Sequence, residues 1–151
     1  MRFLERIANF SEKFPDKIFI KHKNYQITFE DLSYSIGSMS KCLNAVGVCD
    51  RSRVGIILSN SRDFFEIVLS CWRLGAIPII MPDSCTLREK LLFINSAEPE
   101  IIITDWNNSQ ILSIDIPIFP VQEFSQGLGG CVLPVKEIDH NVENTIIILF
   151  T

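Results

Sequence analysis

Histidine is nearly absent from this 151-residue sequence: there are two, His22 and His140, far apart and both in polar surroundings. Neither sits in an HExxH or similar spacing, so no histidine-based zinc site is spelled out. The five cysteines, at 42, 49, 71, 85 and 131, include no CxxC pair. An odd number at irregular intervals fits neither a disulfide framework nor a zinc site, and it suits a reducing compartment. Cys42 and Cys71 fall in apolar helical patterns, as small core residues do, whereas Cys49 lies in a turn and Cys131 beside a glycine pair. Basic residues are thin in the last third, where Lys136 is the one lysine and arginine is missing; the formal net charge is -4. That leaves no basic stripe for a nucleic-acid face. Long apolar runs are lacking too. The longest are strand-sized, such as 146–150, against the roughly 20 residues a bilayer requires, and the charged start has no apolar run behind it. The expectation is a cytoplasmic protein with no membrane span and no nucleic-acid partner.

Familiar catalytic spellings are also missing. There is no GxSxG elbow. Gly127, Gly129 and Gly130 match neither GxxxxGK[ST] nor GxGxxG, no strand feeds them directly, and they read as a loop. The acidic residues sit at predicted helix starts and turns, where they cap and solvate, and no catalytic carboxylate pair stands out. Ser59-Asn60-Ser61 follows a buried strand, the place where open α/β sheets bind ligands, but helix capping explains it and is the preferred reading. Catalytic residues and metal ligands are therefore expected to be absent from these residues.

What is present is a globular balance: 47% hydrophobic and 21% charged residues, with 11 Phe. Apolar residues at 3, 4, 7, 10 and 14 predict a helix over 2–14, closed by Pro15. Two short strands, 18–21 and 26–28, flank a turn at His22-Lys23-Asn24. Thr28 opens a helix whose apolar face is 32, 36, 39, 43 and 46, with an acidic residue three positions on and Gly47 as the stop. The run 53–58 is apolar enough for a strand buried on both faces, as in a parallel sheet. A helix follows from the cap cluster at 60–63 to Gly75. Then comes a strand over 76–81, expected to be short or to start late because of Pro78. Thr86-Leu87-Arg88-Glu89 spells a capping box, and its helix ends before Pro99. Strands are predicted over 100–104, within 114–121, and over 145–150. Strands alternating with helices predict an α/β fold in three layers around a mostly parallel sheet, in one domain unit over 1–151.

Strung together, these pieces resemble the N-terminal region of the adenylate-forming ligases: AMP-forming acyl-CoA synthetases, amino-acid adenylation domains and luciferases. Thr28-Phe29-Glu30-Asp31-Leu32 is similar to the family's T-[YF]-x-E-L, and 47–56 to its G-V-x-x-G-D-R-V-x-I, with Arg51-Ser52 standing where Gly-Asp is usual. Asn60-Ser61 through Phe64-Phe65 to Gly75-Ala76 resembles its N-S-x-x-[FW] helix. Pro82, Leu87, Glu89 and Leu91 then resemble the P-x-x-x-x-x-E-L stretch, with Ile102-Ile103-Thr104-Asp105 as the I-I-T-D-like strand. Ile148-Leu149-Phe150-Thr151 looks like the family's I-x-[YF]-T strand, which leads into a loop that cradles ATP phosphates.

The resemblance implies the start of the large AMP-binding domain of a ligase that adenylates a carboxylic acid and passes the acyl group to coenzyme A. The short Ser59-Asn60-Ser61 passage, Cys71-Trp72 and the compact connections resemble 2-succinylbenzoate–CoA ligases. An amino-acid adenylation domain serving a carrier-protein thiol is the alternative, though Gly75 to Asp83 lacks that group's aromatic residue and second proline. A non-catalytic α/β interaction protein is a further alternative. By resemblance, ATP, Mg2+ and CoA belong to the parent enzyme, and Thr151 begins the phosphate loop. The catalytic groups are expected past Thr151. Residues 1–151 alone are expected to be inactive, to bind nucleotide poorly and to be marginally stable or self-associate.

Overall fold

The computed structural model describes residues 3–111, 113–125 and 148–149. Helix α1 (Phe3–Lys13) leads into an antiparallel hairpin of β1 (Ile18–Lys21) and β2 (Gln26–Thr28). The His22 amide closes the hairpin turn by donating to the Tyr25 carbonyl at 2.9 Å. At Thr28 the chain enters α2 (Phe29–Ala45) through a complete capping box. Thr28 Oγ1 accepts the Asp31 N–H at 3.1 Å, and Asp31 Oδ2 accepts the Thr28 N–H at 3.2 Å. The acidic residue thus makes a specific bond beyond its general attraction to the helix end. Gly47, at a φ of 97°, turns the chain out of the helix at no steric cost.

The rest alternates: β3 (Arg53–Ile57), α3 (Arg62–Arg73), β4 (Ile77–Ile80), α4 (Leu87–Ala97) and β5 (Ile101–Thr104). A 3-10 turn (Trp106–Ile111) precedes β6 (Ile118–Pro120), α5 (Val121–Ser125) and β7 (Ile148–Leu149). The five strands form one parallel sheet in the order β6-β5-β3-β4-β7. Side chains alternate across it. Val54, Ile56, Ile101 and Ile103 pack with Leu43 of α2 and Ile67 and Cys71 of α3. On the opposite face, Ile57, Met81 and Ile102 pack with Ile94 of α4. This is the three-layer arrangement expected. Each fully buried Ile contributes about 1.5–3 kcal/mol relative to exposure. A further cluster, Ile7, Ile27, Leu32, Ile36 and Leu69, fastens α1 and the hairpin to the outer side of α2 and α3.

Two departures from pattern have local explanations. Pro78 does lie within β4, opposite Val54, and the strand starts at Ile77 with four residues, short as expected. Ile77 and Met81 donate to the carbonyls of Ser52, just before β3, and Ile56, within it, at 2.8 and 3.0 Å. Alternation therefore turns the nitrogen of residue 78 away from β3, so the proline removes no bond to it. Among the described residues, β7 meets β4 at Ile79 and Ile80. In the loop before β3, Arg51 takes a φ of 64°, in the left-handed region where the family's glycine would be at ease. Ser52 is buried, and its hydroxyl accepts the Cys49 N–H at 3.2 Å, a bond a carboxylate there could also accept.

Cys131, His140, the glycine loop and the predicted strand over 145–150, apart from Ile148–Leu149, lie outside the described residues. Among the described residues, no helix is long and apolar enough to cross a membrane.

Candidate functional site at the carboxyl edge of the sheet

Because all five strands run the same way, their carboxyl ends share one edge. The chain leaves β3 toward β4 on one side, and leaves β5 toward β6 on the other. Adjacent strands with diverging connections create a crevice at that edge, which is where open α/β sheets hold ligands. The segments there are Ser59-Asn60-Ser61 after β3, Pro82-Asp83 after β4, Asp105 to Asn108 after β5, and the end of β7 beside β4. Thr104 Oγ1 donates to the Ile57 carbonyl at 3.1 Å, tying the ends of β3 and β5 together.

Ser59 and Asn60 are exposed, whereas Ser61 is the N-cap of α3, its hydroxyl accepting the Phe64 N–H at 3.2 Å. Capping is therefore the role the structure gives Ser61. The first turn of α3 carries Arg62, whose Nε donates to Glu66 Oε1 at 2.6 Å and whose Nη2 donates to Ser35 of α2 at 3.1 Å. Glu66 holds the Arg62 pKa above its ordinary value. Beside them, burial pushes the Asp63 carboxyl up, helped by the negative charge of Glu66. These residues, with Tyr34 and Phe124, line a cavity of about 260 Å3 between α2, α3 and α5.

Sequence reasoning missed the polar cluster on the α4 side. Lys90 is only 7% exposed, and its ammonium donates to Asn108 Oδ1 at 2.8 Å, with Asp83 Oδ1 at 3.9 Å. A signal was present: Lys90 precedes the buried Ile94 and Ala97 by four and seven positions, on the inward stripe of α4. Burial there makes a charged residue pair itself. Thr86 and Glu89 form the predicted capping box, with Glu89 Oε2 accepting the Thr86 N–H at 2.8 Å.

Among the described residues, the polar side chains at this edge bond largely to one another and to backbone. The N-termini of α3 and α4, where phosphate could bind, are capped by Ser61 and by the Thr86–Glu89 pair. Asp83 and Asp105 are engaged with Asn108. No group of three or more metal-ligating side chains occurs among the described residues. Thr151, the expected start of the phosphate loop, lies outside the described residues, but β7 runs parallel to β4 and so ends at this edge.

Comparison with known proteins agrees with the architecture. The o-succinylbenzoate–CoA synthetase of Bacillus subtilis, solved with its acyl-adenylate intermediate, superimposes with a TM-score of 0.81 at 17% identity, over 93% of this chain and 29% of that one. A four-domain nonribosomal peptide synthetase bound to AMP and glycine matches with a TM-score of 0.74 at 19% identity, over 82% of this chain and 9% of that one. In sequence, a 2-succinylbenzoate–CoA ligase of Bacillus mycoides is 22% identical over 137 residues, 91% of this chain and 27% of the relative. A polyketide synthase–nonribosomal peptide synthetase of Phaeosphaeria nodorum is 28% identical over 111 residues, 72% of this chain and 3% of the relative. The chain thus spans about a quarter of the 2-succinylbenzoate–CoA ligase and a far smaller share of the megasynthetase. The model of the AMP-binding enzyme family matches residues 7–142, nearly the full length, and the chain belongs to that family.

Proposed function

We propose that residues 1–151 form the N-terminal part of the large domain of an ATP-dependent ligase that adenylates a carboxylic acid and transfers it to coenzyme A. The observation that carries this reading is the place of β7. Ile148-Leu149 lies beside β4 and parallel to it, so β7 points toward the carboxyl edge where the β3 and β5 connections diverge. On this reading Thr151 is the first residue of the phosphate loop, and ATP and Mg2+ are held by residues that follow it. Phosphoryl chemistry depends on donors and cations placed around charge developing on phosphorus. The described residues supply the sheet beneath that site, not those donors. The acid is aromatic on this reading, since the relatives include 2-succinylbenzoate–CoA ligases and a 2,3-dihydroxybenzoate–AMP ligase of Bacillus subtilis. The enzyme works in the cytoplasm.

The similarity to the megasynthetase favours a second reading, an amino-acid adenylation domain that loads a carrier-protein thiol. Pyrophosphate exchange separates the two: aryl acids stimulate it in the first case and amino acids in the second.

The deciding experiment is the DNA sequence past the Thr151 codon. An in-frame Ser-Gly-Thr-Thr-Gly-like loop supports the ligase reading, and an immediate stop codon overturns it in favour of a non-catalytic interaction protein. On the ligase reading, calorimetric titration of residues 1–151 with Mg-ATP gives no saturable heat, and a micromolar isotherm would place the nucleotide site within them. Sedimentation should show self-association, since on this reading the elements that cover the rest of the sheet belong to the remainder of the ligase.

A further inference from the structure

The loops that follow β4 and β5 meet through one side chain. Asn108 accepts from the Lys90 ammonium with its Oδ1 at 2.8 Å, while its Nδ2 donates to Asp83 Oδ1 and to Asp105 Oδ1, both at 3.1 Å. The amide acts as an adapter between one cation and two anions. Turning it over would set NH2 against ammonium and a carbonyl oxygen against two carboxylates, so the charges around it fix its orientation. Asp105 Oδ1 also accepts the Asn107 N–H at 3.0 Å, closing the 3-10 turn on itself. Lys90, nearly buried, has Asp83 on its own connection and Asn108 on the other.

The geometry points to a fastening: Lys90, Asp83 and Asn108 lock the β4–α4 loop to the turn after β5, so that the two loosen together. A buried ammonium is costly to leave unpaired, so parting the loops also uncovers a charge that must find water. The three are positioning residues. β4 is the neighbour of β7, and the lock therefore fixes the loop that follows the strand beside β7, the strand that on the proposed function leads to the phosphate loop. That consequence rests on the proposed function; the lock itself does not.

Hydrogen exchange on the 151-residue chain tests it. The Cys85 amide, bonded to the Pro82 carbonyl at 3.2 Å, reports on one loop, and the Asn107 amide reports on the other. Lys90→Met should speed exchange at both by about 10-fold, while the β3 amides at 54–57 change by less than about 3-fold. Asp83→Asn, at a half-exposed position, should speed the Asn107 amide although that amide lies on the other loop. The double variant should exceed the stronger single variant by less than about 2-fold, as members of one network do. An unchanged Asn107 amide in either variant, an equal rise throughout β3, or fully additive effects would each overturn the lock. If Lys90→Met fails to fold, Asp83→Asn alone decides by the same Asn107 criterion. None of these outcomes depends on ligase activity, so the lock and the functional reading fail separately.

Discussion

The Arg51 N–H donates to the Gly75 carbonyl at 2.8 Å, and this bond holds Arg51 at a φ of 64° just before β3. The turn after α3, where Gly75 itself sits at a φ of 72°, is thereby anchored to the turn before β3. Two left-handed residues meet, and only one of them is glycine. A side chain in that region costs about 1–2 kcal/mol, whereas glycine loses more backbone freedom on folding. Arg51→Gly should therefore raise stability by about 0.5–1 kcal/mol, read as a higher urea midpoint with an unchanged slope.

Gly55 should behave in the opposite way. A Cβ there would lie 2.9 Å from Met81 Cε, 3.1 Å from Ile102 Cγ1 and 3.4 Å from Pro99 Cβ. The end of the methionine can swing aside, but Ile102 is fully buried and Pro99 is rigid. Gly55→Ala should destabilise by about 1–3 kcal/mol through overpacking, and Gly55→Val by more. Chemical denaturation of both variants measures the difference.

The capping boxes predict an acid response. Bonds from Thr28, backbone first, hold the Asp31 carboxyl below its ordinary 3.8, and bonds from Thr86, side chain first, hold Glu89 below its ordinary 4.5. A depressed carboxylate stabilises the fold above its unfolded pKa, and that stabilisation is lost as pH falls through the folded value. Stability should therefore be complete from these two groups near pH 6 and decline below about pH 4.5. Thr28→Ala should cost about 1 kcal/mol at pH 6 and flatten the Asp31 part of the decline, measured by urea unfolding across pH.

Asp63 carries the reverse sign. Burial raises its pKa, so its ionisation opposes folding once pH exceeds the unfolded value of about 3.8. Asp63→Asn should leave stability unchanged at pH 3 and unchanged or higher at pH 7, although it also removes an acidic residue from the first turn of α3. A loss at pH 7 alone would show that the attraction to the helix end dominates.

The thiols separate by burial. Burial pushes Cys71 up to about 12, and Cys42 is also buried, whereas Cys49 is exposed. Iodoacetamide at pH 8 should label Cys49 in the folded protein and reach Cys42 and Cys71 only after denaturation, as peptide mass spectrometry would record.

These contrasts show why some of the fold was legible and some was not. Local signals carried the elements: Thr86 with Glu89 spells a capping box, Gly47 ends a helix, and the unbroken apolar run of β3 implies two covered faces. The resemblance of five ordered segments carried the family. Strand order was not written locally, since nothing near β5 says that it returns past β4 to the far side of β3. The 3-10 turn at Trp106–Ile111 has no apolar period to announce it. At the edge, Ser61 could be recognised as a cap from its neighbours alone. Asn108 could not, because two of its three partners come from α4 and the loop before it, 18 and 25 positions away.

The direction in which Pro78 faces also bears on how β4 avoids unwanted partners. The side of β4 turned toward β7 has no N–H to offer at residue 78. Another chain sliding along that side would find a gap near its amino end, where a continuous ladder needs a donor. Among the described residues, the pairs between β7 and β4 are at Ile79 and Ile80. A proline that looks misplaced in a central strand thus blunts one flank against adventitious pairing while leaving the ladder to β3 intact.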